Sequence, residues 1–125
     1  MNRLMLNYLY IFGTVLFTVY GQVILKWRIG NYGALPDLFQ QKVLFLLRLF
    51  IDPFILSGFL AAFIASLFWM AAMTKFDLSH AYPFMAFNFV LVLILSGLLF
   101  SEAITLLKVI GITLVVLGIF VGSQG

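Results

Sequence analysis

From Leu4 to Leu25 the chain carries no ionised side chain, and at 1.5 Å of helix rise per residue that stretch crosses a bilayer. Three further segments repeat the pattern: Pro53–Met73, Ala81–Phe100 and Ile104–Gly122. Each has about 19–22 residues, the length that a hydrocarbon core about 30 Å thick requires. Continuous apolarity specifies helices, because strands of a membrane barrel alternate in hydropathy with a period of two. Composition leaves no soluble alternative. Hydrophobic residues make up 65% and charged residues 9%, against about 45–50% and 25% in soluble domains. The expectation is an all-α membrane protein: one domain over residues 1–125 with four transmembrane helices.

The connections differ. Ser101-Glu102-Ala103 is short, so the third and fourth helices form an antiparallel hairpin. The linker from Ile29 to Asp52 is long. Its part from Leu38 to Asp52 mixes Lys42 and Arg48 with leucine and phenylalanine. It is too short and too charged to span, and it reads as an interfacial helix or as an extension of the second span. Pro53 starts the second span, where a missing amide hydrogen is harmless. The first span is too long for a signal-peptide core and no cleavage site follows, so it reads as permanent. Arg3 and Lys75 fall on one side of the bundle, and Lys26, Arg28, Lys42, Arg48 and Lys108 on the other, which favours the first loop inside. Without Lys26 and Lys108 the excess is three against two, which leaves the orientation open.

Several function classes are excluded. Cysteine is absent and histidine occurs once, so neither thiol chemistry nor a metal site is expected, and no cofactor. No nucleophile–base pair, intramembrane carboxylate pair or phosphate loop appears, so no enzyme is expected. The net charge of +3 sits beside apolar spans, where lipid headgroups rather than nucleic acid are the counter-charge. No internal repeat is present, so a transport pathway would need a second subunit.

The polar residues inside the spans are few. Thr14, Thr18, Gln22 and Lys26 follow at four-residue steps and share one helix face. That face reads either as the wall of a passage with Lys26 at its mouth, or as a packing face with Lys26 snorkelling. Asp77 or Ser79 caps the third helix, or its free amide hydrogens meet an anion, and Pro83 lies in its first turn or kinks it. His80 reads as a proton-handling group or as a structural hydrogen-bonding one. Asn88, a third of the way into the third span, needs a partner. Glu102 pairs with Lys108 or caps the fourth helix. Gly111, Gly118 and Gly122 on one face of the fourth helix allow close helix packing. Trp27 and Trp69 near span ends act as interfacial anchors.

Gly21-Gln22-x-x-x-Lys26 resembles the small four-helix members of the drug/metabolite transporter superfamily, the EamA-like proteins. Phe68-Trp69-Met70, Ala81-Tyr82-Pro83, Asn88-Phe89-Val90, Glu102 and the Gly111/Gly118 pair resemble subunits of the undecaprenyl-phosphate aminoarabinose flippase. The resemblance to small multidrug resistance exporters is more distant, because Thr18 stands where those carry a membrane-embedded glutamate. The resemblance implies a dimer, homomeric or with a related subunit, in a bacterial inner membrane. It would translocate a polyprenyl-phosphate-linked sugar of the cell envelope through a groove between subunits. Lys26, with Arg28, would hold the phosphate. Gln22, Tyr82 and Asn88 would contact the polar head, with Thr18 and Trp69 beside them. Two other readings remain: a proton-coupled exporter using His80 or Glu102, and a non-transporting subunit that recruits a glycosyltransferase.

Overall fold

The computed structural model describes residues 3–125, and all regular elements among them are helical. They are α1 (Arg3–Gly30), α2 (Phe39–Phe50), α3 (Pro53–Met73), α4 (Leu78–Ala81), a 3₁₀ segment (Tyr82–Ala86), α5 (Phe87–Leu99) and α6 (Leu106–Gly122). Among the described residues three helical stretches are long and apolar enough to cross a membrane: Arg3–Gly30, Pro53–Met73 and Leu78–Leu99. The protein is therefore a multi-pass membrane protein. The fourth apolar helix, α6, has 17 residues, which is about 25 Å of rise and the lower end of a span.

α1 and α3 form the principal antiparallel pair, and small residues let them approach. A Cβ on Gly21 would lie 3.1 Å from the carbonyl oxygen of Gly58, and one on Gly58 would lie 3.4 Å from that of Gly21. Ala61, Ala65 and Ala72 continue the buried stripe of α3, with Ile11 of α1 packed in one cluster with Ala72. Phe17 stacks on Phe68 at 5.6 Å. Between lipid-facing helices, where no hydrophobic drive separates protein from solvent, such close backbone packing is the main source of association. The intramolecular glycine contact thus lies at Gly21–Gly58. Gly111, Gly118 and Gly122, expected to pack, are exposed, and a Cβ on any of them meets nothing within 4 Å.

Local chemistry explains several element boundaries. Asp52 occupies the N-cap of α3 and accepts from the amides of Phe54 (2.9 Å) and Ile55 (3.2 Å), with Pro53 next. Thr105 caps α6 by accepting from the Lys108 amide. α1 continues to Gly30, so Lys26 and Arg28 lie in its final turns rather than beyond it. The third span starts at Leu78, three residues before the expected Ala81. Asp77 stands at its N-cap position, but neither its side chain nor that of Ser79 makes a capping bond. Pro83 falls in the 3₁₀ segment that separates α4 from α5, not in a simple α-helical first turn. The fourth helix begins at Leu106 rather than Ile104, and Ser101 turns the chain with a left-handed φ of 53°. α6 touches α5 only slightly and buries Ile119 alone.

α2 is a separate helix, with Ile51 and Asp52 between it and α3, so it is not an extension of the second span. Phe39, Val43, Leu46, Leu47 and Phe50 follow at helical spacing and are all exposed, while Gln41 and Arg48 lie on the opposite face. Leu49 is its only buried residue.

Candidate functional site

The four-residue stripe of α1 divides in three dimensions. Thr14 is 2% exposed and its hydroxyl donates to the Tyr10 carbonyl at 2.8 Å, so it belongs to the interior. Thr18 is half-buried, and Gln22 and Lys26 are exposed. The Lys26 ammonium lies 3.9 Å from the carboxylate of Glu102. Glu102 therefore neither pairs with Lys108 nor caps α6. The Lys108 ammonium instead donates to the Ala103 carbonyl at 3.1 Å, and Thr105 is the cap. Two lysines thus lie near the loop that carries Glu102. An exposed pair as long as Lys26–Glu102 contributes at most about 1 kcal/mol, so an anionic ligand competes readily with Glu102 for the ammonium.

Arg28 is not available beside Lys26. Its Nε donates to Asp52 Oδ2 at 2.9 Å, and the Tyr32 hydroxyl donates to the same oxygen. Its guanidinium carbon lies 4.9 Å from the Phe54 ring centre and 5.7 Å from those of Trp27 and Tyr32. Asp52, 3% exposed, thereby joins the end of α1, the linker and the start of α3. Sequence reading missed this group. Its signal was the Asp-Pro pair directly before an apolar run, a helix start whose acid has an oxygen to spare. Trp27 packs edge-on against Phe54 at 5.2 Å, at the end of its helix as expected.

Burial alone would raise the Asp52 carboxyl. The Tyr32 hydroxyl, the Arg28 guanidinium and the amides of Ile55 and Phe54 outweigh it and hold the group at about 2, below its ordinary 3.8. A lowered folded-state value means that the stabilisation is complete above pH 4 and is lost as pH falls from about 4 to about 2. The thermal midpoint of the detergent-solubilised protein is expected to fall across that window. The fall should be smaller in Asp52→Asn, which has no proton to gain.

Trp69, Tyr82 and Asn88 do come together. They line a groove of about 430 Å³ with Pro83, Met85 and Phe89. Trp69 and Tyr82 meet edge to face at 6.1 Å. Asn88 Oδ1 is buried and has no hydrogen-bond partner. Because the span begins at Leu78 and ends at Leu99, Asn88 stands near its middle, deeper than a third of the way in. About 17 Å of helix separates it from Leu99, beyond which lies Glu102, so Lys26 and Asn88 occupy different depths. His80 lies at the opposite end from Lys26. It is 2.9 Å from the Tyr8 hydroxyl and packed among Tyr8, Phe76 and Phe84. All four carboxylates of the chain, Asp37, Asp52, Asp77 and Glu102, stand outside the helices.

The sequence matches the EamA-like transporter family over residues 4–123. The chain belongs to that family. It is a family of transporters, not of enzymes. Over 122 residues, 92% of this chain and 96% of the relative, it is 30% identical to a Photorhabdus laumondii protein named "Probable 4-amino-4-deoxy-L-arabinose-phosphoundecaprenol flippase subunit ArnF". The Yersinia enterocolitica protein of the same name is 33% identical over 112 residues, 86% of each chain. The corresponding subunit ArnE of Aeromonas salmonicida is 29% identical over 103 residues, 82% of this chain and 84% of that one. No solved structure matches the EamA-like chain.

Proposed function

We propose that the chain is one subunit of a paired flippase that moves a polyprenyl-phosphate-linked sugar across a bacterial inner membrane. The observation that carries this reading is similarity along nearly the whole length of proteins named as such flippase subunits. α6 serves as the fourth span in this reading. Its open glycine face, with Gly111, Gly118 and Gly122, meets the second subunit, either a copy or a related chain. α2 lies on the leaflet surface with its exposed apolar stripe in the acyl boundary and Arg48 among headgroups.

The physical requirements agree with that assignment. The lipid tail needs no enclosure, because the outer surface of the bundle is apolar and continuous with the bilayer. Only the head must be sheltered. Lys26 supplies a charge for the phosphate at the end of the bundle, with Gln22 and Thr18 on the same flank. A carboxylate-coupled exporter is less well supported, because no acid stands within a helix.

The test is reconstitution in vesicles, with the chain alone and with a related small subunit, followed by the rate at which a prenyl-phosphate-linked aminosugar changes leaflet. Lys26→Ala is expected to slow that movement roughly tenfold, the loss of one charge-assisted phosphate contact. Unchanged movement would remove Lys26 from the mechanism. No movement alone or paired would turn the reading toward a recruiting subunit.

A further inference from the structure

The third span carries a second groove. Ser96, Glu102, Lys108 and Gly111 line a cleft of about 380 Å³ between α5 and α6, together with Val92 and Phe89. Phe89 also lines the Trp69–Tyr82–Asn88 groove. Residues 82, 85, 89, 92 and 96 follow at steps of three and four, so a single face of the span connects the two grooves. The grooves differ in chemistry. The first has no charged side chain in its lining, and its polar member is Asn88 beside two aromatic rings, with the amide oxygen buried behind the groove surface and unpartnered. The second ends in an ammonium and a carboxylate, with Lys26 beside that carboxylate.

We infer that this face holds two successive stations for a lipid-linked headgroup, a neutral hydroxyl-binding one at Trp69, Tyr82 and Asn88 and an anion-binding one at Lys108 and Lys26. The inference rests on the flippase reading and alters its geometry. A phosphate bonded directly to a sugar ring cannot span the roughly 17 Å of helix rise between Asn88 and the end of α5, beyond which Lys26 meets Glu102. The residues expected to grip one head together therefore act at different moments of its passage.

The neutral station fits a sugar ring on three counts. A buried acceptor without a donor is costly, and turning the Asn88 amide into the groove lets a ligand O–H or N–H satisfy it. Near the middle of a span, lipid offers no such donor. The flat faces of Trp69 and Tyr82 suit the apolar face of a ring, and the volume falls within the range of small-molecule sites, about 300–1,000 Å³. The absence of cations from the lining makes it a poor place for the phosphate. Phe89, 64% exposed, stands where the head must pass from one groove to the other.

The experiment uses the full chain in phosphatidylcholine nanodiscs with Trp27→Phe, which leaves Trp69 as the sole tryptophan. Octyl glucoside probes the neutral station and farnesyl phosphate the charged one. Octyl glucoside is expected to change Trp69 emission saturably, and Asn88→Ala to weaken it about fivefold to tenfold, one hydrogen bond to a buried acceptor. Tyr82→Ala, at a surface position whose loss leaves the fold intact, should weaken it as well. Lys26→Ala and Lys108→Ala should leave it unchanged, yet weaken farnesyl phosphate, measured by calorimetry. Saturating farnesyl phosphate should leave the glucoside affinity unaltered. If the same variants weaken both probes, or the probes exclude each other, a single site replaces the two stations. If the glucoside gives no saturable response, the neutral station does not exist. If the glucoside binds and farnesyl phosphate does not, the neutral station stands and the flippase reading falls.

Discussion

Asp52→Ala is expected to lower the thermal midpoint by roughly 10 °C, more than any other single truncation of a polar side chain in this protein. One carboxylate accepts four hydrogen bonds: from the Phe54 and Ile55 amides, the Arg28 guanidinium and the Tyr32 hydroxyl. Removing it uncaps α3 and leaves Arg28 without its anion, still surrounded by the rings of Trp27, Tyr32 and Phe54. Breaking such a pair from one side costs far more than the pair contributes, because the other charge stays behind. Asp52→Asn keeps an oxygen for the cap and should lose less. Arg28→Lys should also lose less than Arg28→Ala, though it forfeits the flat guanidinium that lies over the rings. Thermal unfolding in one detergent, followed by tryptophan emission, ranks these variants. If Asp52→Ala melted with the wild type, the linker would be tied down by something other than this carboxylate.

That cluster marks the limit of what the sequence makes legible. Long apolar runs fix helices wherever they occur, which is why Pro53–Met73 is found at its expected limits. The limits blur where local hydrogen bonding decides them. Lys26 and Arg28 look like the end of a span by charge, yet backbone bonding carries α1 on to Gly30. Pro83 favours a 3₁₀ stretch that hydropathy cannot register. Placement of polar groups depends on which helix faces which, and that is non-local. Thr14 and Lys26 share a helix face in sequence, but the fold buries only the first of them. Arg28 reads as a free cation because its acid lies 24 residues away, beyond an intervening helix. By contrast, Trp69, Tyr82 and Asn88 sit close together in sequence across one turn between spans, and the fold does bring them into one groove.

Glycine substitutions separate packing within the chain from packing between chains. Gly21→Leu is expected to destabilise the fold by about 1–3 kcal/mol, since overpacking a tight contact forces backbones apart. A Cβ there already meets the Gly58 carbonyl oxygen at 3.1 Å, and a backbone oxygen cannot swing aside as a side-chain tip can. The rest of the leucine side chain must then push α1 from α3 and disturb the neighbouring Ile24–Gly58 and Phe17–Phe68 contacts. Gly21→Ala should do the same on a smaller scale. Gly118→Leu has the opposite signature. Open space surrounds that position in the single chain, and replacing a helical glycine gains about 1 kcal/mol of backbone propensity, so the fold should hold or strengthen. What Gly118→Leu should lose is pairing, read by cross-linking of the protein in native-like membranes. Stability measured by denaturant titration, alongside cross-linking yield, gives each variant two coordinates. Gly21→Leu should move along the first and Gly118→Leu along the second. A Gly118→Leu protein that pairs as the wild type does would take the subunit contact away from α6. The second subunit would then close on another exposed apolar face, such as the side of α5 that carries the two grooves.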